Sequence, residues 1–407
     1  MKESFQNRMI KRYRSFKPMF EPGGRFSALR SVYEGMESFL TVPATTSKSG
    51  VHIHDSVDTK RVMSIVVLAL LPALLFGIYN VGYQRFLSIG CDCPPFWESF
   101  AYGCFAVVPK IIVAYVVGLS IEFASAQIRG HEIQEGFLVS GILIPMICPV
   151  ETPLWMIAVA TAFSVVFVKE VFGGTGMNIF NVALSTRAFL FFAYPSKMSG
   201  DGVFVGTDSY SWFGIGAGTP VDSFTGATPL GQLATSSGSA HLTDCLGNGL
   251  TLWDSFLGLI PGSIGETSTL FILIGGAFLL ITGVASWRIM LSVFVGGFAM
   301  AGLAYLLPSA TYPASMVSPL QHLCLGGFAF AAVFMATDPV TAAHTTLGKY
   351  IYGFFVGVLA MLIRIYNTGY PEGAMLAVLL MNAFAPLIDY CVVESNVRRR
   401  MRRQKQS

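Results

Sequence analysis

From Val62 onward the chain breaks into long apolar runs separated by short polar stretches, after about sixty mostly polar residues. A membrane-crossing helix needs roughly 20 apolar residues. Five runs precede residue 195, at about 62–79, 104–124, 137–149, 153–172 and 178–194. Five more follow, at about 268–286, 288–307, 322–337, 350–366 and 374–393. The pattern predicts an all-α polytopic membrane protein with about ten transmembrane helices. The third and eighth runs are short for a full crossing, and each stops at a proline: Pro149, and Pro339 in Thr337-Asp338-Pro339. Irregular backbone at membrane depth is tolerated only where protein or a water-filled cavity surrounds it, so both runs read as broken or re-entrant helices.

The two sets of five also resemble each other. Glu135-Gly136-Phe137 is followed by Pro149, by Gly174-Thr175-Gly176 and by an apolar run to Ala188-Phe189. Gly327-Phe328 is followed by Pro339, by Asn367-Thr368-Gly369 and by a run to Ala383-Phe384. Five crossings are an odd number, so a second copy of the unit runs inverted. Inverted repeats with broken helices set a polar pathway near the bilayer midplane.

Composition sharpens this picture. Of 407 residues, 53% are apolar and 12% charged, against about 25% charged in a typical soluble domain. Mean hydropathy is +0.60. These values exclude an ordinary soluble enzyme and a disordered chain. A net charge of +3 is too small to suggest nucleic-acid binding. The arrangement of charge says more: of 26 Lys and Arg, 21 fall on one side of a ten-span topology, including both chain ends. The positive-inside rule then makes both ends cytoplasmic. The five outliers are Arg85, Lys110, Arg187, Lys197 and Arg364. No cleavable signal peptide is evident, so the first span is expected to act as the insertion signal. The expected organisation is a cytoplasmic extension (1–60), a first five-helix repeat (61–194), an external loop (195–267), a second repeat (268–393) and a basic cytoplasmic tail (394–407). The loop carries one Lys, no Arg and six acids.

Ionisable residues inside spans are functional candidates because burying them is costly. Glu135 opens the third span, Asp338 ends the eighth, and Asp389 lies in the tenth; Glu122, Lys110, Arg187 and Arg364 are also within or near spans. Such carboxylates together with helix-end carbonyls suit a cation path; each acid equally well pairs with a base or caps a helix. Gly173-Gly174-Thr175-Gly176, followed by Asn178 and Asn181, reads as a turn or as a backbone cradle for a ligand. His52 and His54 lack further ligands, the seven cysteines form no CxxC pair, and no metal site is expected. There is no phosphate loop, catalytic triad or nucleotide fingerprint.

Asp222-Ser223-Phe224-Thr225-Gly226-Ala227-Thr228, read by itself, is a turn before Pro229. It is similar to the D-x-x-[S/T]-G-A-T motif of proteins whose last Thr carries FMN through a phosphoester bond. Small Gly226 and Ala227 leave the Thr228 hydroxyl open to a flavin transferase, which would read Asp222; Thr225 is the [S/T] position of the motif. Other stretches extend the likeness, among them Phe20-Glu21-Pro22-Gly23-Gly24, Asp55-Ser56-Val57-Asp58, Pro261-Gly262-Ser263-Ile264-Gly265-Glu266, Met335-Ala336-Thr337-Asp338-Pro339 and Tyr370-Pro371-Glu372-Gly373. From about residue 20 to 403 the chain resembles the B subunits of bacterial sodium-translocating NADH:quinone oxidoreductases. The resemblance implies one subunit of a six-subunit inner-membrane complex that passes electrons from NADH, through flavins and iron–sulfur centres, to ubiquinone while exporting Na+. It implies covalent FMN at Thr228 on the periplasmic side, a contribution to bound riboflavin, which the cytoplasmic turn with Asn178 and Asn181 is placed to contact, a quinone site near Gly130, Glu135 and Gly136, and a sodium role for Glu34; with sodium as the ion, the span acids Glu135, Asp338 and Asp389 are the further candidates for its path. NADH would be oxidised elsewhere in the complex. Two alternatives remain. The D subunit of the Rnf ferredoxin:NAD oxidoreductase shares the flavin threonine but generally begins close to its first span. A passive small-solute channel needs no flavin tether.

Overall fold

The computed structural model describes residues 17–20, 33, 49–51, 59–91, 93–130, 136–199, 203–207, 215–221, 224, 226–236, 242–244 and 247–404. Ten helical units follow the ten apolar runs. They are α1 (Thr59–Ser88), α2 (Phe96–Arg129), α3 (Phe137–Met146), α4 (Leu154–Ser164, continued by a π-turn Val165–Glu170) and α5 (Val182–Ala193). The second set is α6 (Thr269–Ile281), α7 (Trp287–Leu306), α8 (Pro319–Cys324 and Phe328–Phe330, the latter running into a π-turn Ala331–Met335), α9 (Thr346–Tyr366) and α10 (Ala374–Gln404). Five of them (α1, α2, α7, α9 and α10) are long and apolar enough to cross a membrane unaided. No strand longer than an isolated bridge occurs among the described residues.

The third and eighth units end a few residues ahead of Pro149 and Pro339, and the eighth carries a further break that the sequence reading did not include. α3 ends at Met146, with Cys148 and Pro149 beyond it. The two pieces of α8 are separated at Leu325-Gly326-Gly327, and its π-turn stops short of Pro339. A π-turn widens the helix for one turn, a form that often marks functional positions. That of α4 carries Lys169 and Glu170, and that of α8 leads into Thr337-Asp338.

The repeat is visible in the packing. In the first half α1 packs on α3, α2 on α3 and α4, and α5 on α3 and α4. The same pairings recur as α6 on α8, α7 on α8 and α9, and α10 on α8 and α9. Only the α1–α2 contact lacks an equally close α6–α7 counterpart, because α6 lies instead against α1. One detail recurs closely. A Cβ on Gly118 (α2) would run into the Phe137 ring, and one on Gly297 (α7) into the Phe328 ring. A cation stands over each ring: Lys169 Nζ and Arg364 Cζ are both 5.9 Å from the respective centroids. α1 and α6 run antiparallel, since Phe76 stacks on Phe271 while Gly275 approaches the Ala69 carbonyl. The halves are therefore inverted, and they meet along α1–α6 and α5–α10.

Four of the five outlying cations are buried at one end of the bundle, which we call the outer end after the sidedness expected above. Each donates to carbonyls or to an acid. Arg85 holds the Gly206, Gly216 and Gly218 carbonyls at 3.4, 2.9 and 2.9 Å. Lys110 holds those of Ala106 and Val150 at 3.0 and 2.6 Å. Arg364 holds those of His322 and Glu372 at 2.7 and 3.3 Å. Arg187 pairs with the Glu372 carboxylate and donates to Ser263 Oγ at 3.1 Å. Charge-assisted bonds of this kind offset the cost of burying a guanidinium. The opposite, inner end is stitched by the Lys169–Glu122 ion pair and by Arg129 to Glu170 at 3.8 Å.

Candidate functional site

Two polar clefts open at opposite ends of the bundle. The inner cleft is enclosed by the start of α1, the α4–α5 and α6–α7 connections, and the turn after α8. It encloses about 810 Å³ of space, part of it open to solvent. Val62, Val66, Val139, Leu279 and Phe334 give it apolar walls, and Lys169, Thr175, Asn178, Asn181 and Asp338 give it polar groups. An apolar pocket with a few convergent polar groups is the usual form of a cofactor site.

The polar groups are ordered by one another. Asn181 caps α5: its Oδ1 accepts from Ala183 and Leu184 N–H at 3.0 and 3.2 Å, a placement that leaves its Nδ2 to donate to Asp338 at 3.1 Å. Asp338 also accepts from Val340 N–H and Thr341 Oγ1, at 3.1 and 3.2 Å. Asn178 Nδ2 donates to the Phe180 carbonyl at 2.9 Å. Gly136 leaves room for the Thr175 side chain, whose buried Oγ1 has no hydrogen-bond partner among the described residues. The inner cleft thus gathers Gly136, Asn178, Asn181 and Asp338, which the sequence points to separately for quinone, riboflavin and sodium.

Other candidates lie elsewhere. Gly130 is the left-handed C-cap of α2 (φ 69°) and is exposed, outside this cleft. Asp389, on α10, accepts from His344 and Thr345 N–H and from Thr345 Oγ1 at 2.7, 3.0 and 2.6 Å, so it fixes the entry to α9. Glu34, Glu135, Asp222 and Thr225 lie outside the described residues. Among the described residues no cluster of His, Cys, Asp or Glu has the makings of a metal centre.

The outer cleft surrounds Thr228. This residue caps the short helix Pro229–Thr235, its Oγ1 accepting from Gly231 N–H at 3.0 Å. Leu230 and Leu233 are buried, and Leu230 rests against Gly326 in the α8 break. Gln232 ties the helix to the following segment through the Thr243 carbonyl (2.9 Å) and N–H (3.0 Å). Gly226 and Ala227 are packed underneath while Thr228 itself is half-buried. Two adjoining hollows share Thr228, Phe204 and Glu372; one reaches Ser263, Glu266 and Gly326, the other Phe191 and Tyr370. The sequence suggested no role for Ser263, Glu266 and Glu372. A signal was present, because buried Arg187 and Arg364 on the acid-rich side call for carboxylate partners.

The chain is similar to known proteins over nearly its whole length. The chain is 44% identical over 406 residues to the B subunit of the Na(+)-translocating NADH-quinone reductase of Pseudomonas aeruginosa, an alignment covering 94% of this chain and 96% of that one. It is 43% identical to the protein of the same name from Chromohalobacter salexigens, covering 95% and 94%, and 43% identical to that of Azotobacter vinelandii, covering 94% and 96%. The sequence profile of the NQR2, RnfD, RnfE family matches residues 46–398. The chain belongs to the NQR2, RnfD, RnfE family.

Proposed function

We propose that this chain is the B-type membrane component of a sodium-translocating NADH:quinone reductase, and that Thr228 is its covalent FMN attachment residue. The observation that carries the reading is the placement of Thr228: a half-buried threonine on a built, capped turn, opening onto a polar cleft at the opposite end of the bundle from the inner cleft. The residues fit a phosphoester. Gly231 N–H uses a lone pair of Oγ1 rather than the bond to be made, and Gly226 and Ala227 add no bulk beside it. The hollows next to Thr228 are too shallow to enclose a whole flavin, so the ring would extend toward a neighbouring subunit. FMN, when bound, supplies one- and two-electron transfer; the chain fixes its position and surroundings.

The inner cleft is the proposed riboflavin and ubiquinone region. Its apolar walls match a flat ring, and Thr175 Oγ1 offers an unanswered polar atom. Asn178, Lys169 and Thr175 would orient the ring; Asn181 acts one step back, holding Asp338. We assign Asp338 to the sodium path on its place in this cleft. A sodium role for Asp389 requires release of the three bonds it makes at the α9 entry; that of Glu135 rests on its place at the start of the third span, and that of Glu34 on the resemblance. On this reading both termini and the inner cleft face the cytoplasm, and residues 195–267 face the periplasm. The chain then works with the other members of a six-subunit complex after a flavin transferase has loaded it. The relatives carry the quinone-reductase name, which favours this reading over the Rnf alternative. A denaturing gel of the mature complex should show a fluorescent flavin band at the position of this chain, and Thr228→Ala should abolish it. A band retained in Thr228→Ala refutes the attachment site, and no band in the wild type favours a channel.

A further inference from the structure

At its inner end α10 outruns the bundle. α9 is 21 residues long, or about 31 Å, close to the thickness of a bilayer's hydrocarbon core. Asp389 accepts from the His344 and Thr345 N–H groups at 2.7 and 3.0 Å, so α10 passes the inner end of α9 at that residue. The helix nevertheless runs on to Gln404, and neither Pro nor Gly follows Pro386 to turn it onto the membrane plane. Arg398 to Arg403 therefore stand about 13–21 Å past the end of α9, whereas a headgroup layer is only about 5–8 Å deep. From Ser395 to Gln404 every residue is exposed. At about 100° per residue, Tyr390, Val393, Val397 and Met401 fall within one stripe about 80° wide. Val397 and Met401 are 43% and 50% exposed. Arg399, Arg402 and Arg403 take the opposite face, and Arg398 and Arg400 flank the stripe. Arg398 bonds Glu394 at 2.9 Å; the other four arginines pair with no acid among the described residues.

We propose that this projecting end of α10 is a docking helix for another subunit of the complex, one that presents at the inner end an apolar groove bordered by Asp and Glu carboxylates. An excess of arginine on the inner side follows from membrane insertion alone. An apolar stripe kept in phase beyond the membrane does not. Helix-in-groove recognition reads apolar anchors at this three- and four-residue spacing. The guanidinium groups set the sign of the partner, since five of them stand against the single carboxylate of Glu394. A lipid surface fits less well. Polybasic segments act on anionic lipid within a Debye length of about 8 Å; Met401, Arg402 and Arg403 lie beyond that reach, and headgroups would not bury the stripe. In the docked state the stripe supplies burial, while the arginines steer the encounter and reject basic surfaces. The inference rests on the reading of this chain as one subunit of several; it needs neither the flavin nor the cation path.

Site-specific photocrosslinking in native membranes tests this on the whole complex. p-Benzoylphenylalanine is placed at position 401, in the stripe, and separately at position 396, on the arginine face. After irradiation the complex is purified and the crosslinked peptides are identified by mass spectrometry. Position 401 should give one dominant product, joining this chain to a segment of another subunit of the same complex in which Asp or Glu borders apolar residues. Position 396 should give far less of it. Val397→Asp, which charges the stripe and leaves every arginine in place, should lower the yield from position 401 about tenfold, one decade of affinity. Arg399→Glu with Arg403→Glu should lower it by a similar factor, and raised salt should lower the wild-type yield. These positions lie outside the packed bundle, so the variants keep the fold. Crosslinks confined to lipid, to residues 1–60 of the same chain or to a second copy of it, or no crosslink at all, overturn the proposal. Copurification of other subunits, read on the same preparation, keeps the two ideas apart. An assembled complex without this crosslink sinks the docking helix alone, whereas a chain that purifies without other subunits sinks both.

Discussion

Removing Arg187 exposes the electrostatic stitch between the two inverted halves. The guanidinium, 1% exposed, sits on α5 of the first half and pairs with Glu372 in the α9–α10 turn of the second. It also donates to Ser263 Oγ at 3.1 Å and faces the Tyr370 side chain. In Arg187→Met the Glu372 carboxylate, 17% exposed, loses its counter-ion. Arg364 does not replace it, because its Nη2 reaches the Glu372 carbonyl rather than the carboxylate. Breaking a buried ion pair costs about 3–5 kcal/mol, and the residual exposure of Glu372 places this case near the low end, about 3 kcal/mol. A shift of roughly 2–4 °C per kcal/mol holds for 150–250 residues and falls with size, so a longer chain gives a drop of roughly 3–6 °C. The double variant Arg187→Met, Glu372→Gln removes the stranded charge and should recover more than half of the loss. The assay is thermal scanning of the detergent-solubilised complex, read by loss of this chain from the assembly. Additive single effects, or a shift within about 1 °C for Arg187→Met, would show that the pair does not hold the halves together.

Gly297→Ala drives a Cβ into the Phe328 ring and should cost about 1–3 kcal/mol, with Phe328→Leu restoring much of the heat resistance; failure of the rescue would deny the contact. Because burial raises the Glu266 carboxyl, the folded protein holds its proton after the unfolded chain, whose value is about 4.3, has lost it. Stability in Na+-free buffer should therefore fall as pH rises from about 5 into the mildly alkaline range, and less steeply in Glu266→Gln. Equal slopes would place Glu266 in an ionised state throughout. Asp338→Ala should slow Na+-stimulated quinone reduction while keeping the covalent flavin; unchanged sodium dependence removes Asp338 from the path.

The ten helices were legible in the sequence because burial in lipid demands apolar length, and the breaks at Pro149 and Pro339 because proline cannot extend the ladder. The Gly-Phe pairs shared by the halves, Gly136-Phe137 and Gly327-Phe328, carry rings that pack on Gly118 and Gly297, two glycines to which the sequence did not point. The helix ends were less legible. α1 continues to Ser88 and α10 to Gln404, beyond the apolar windows. In α1 the reason is that polar residues such as Arg85 are held there by carbonyls more than a hundred positions away. The π-turns left no sequence signal. At the site, Thr228 was readable as a motif and Asp338 as a costly buried charge. Their partners were not: that Asn181 both caps α5 and holds Asp338, or that Glu266 turns inward beside Thr228, depends on tertiary folding of distant segments.

Everything proposed for the electron path at the outer end rests on a flavin phosphate held by one threonine. The decisive measurement is mass analysis of the peptide carrying Thr228 from the mature, assembled complex. That peptide is expected to carry the mass of an FMN phosphoester, with fragment ions fixing it to Thr228. A peptide found only with the bare threonine side chain would refute the attachment.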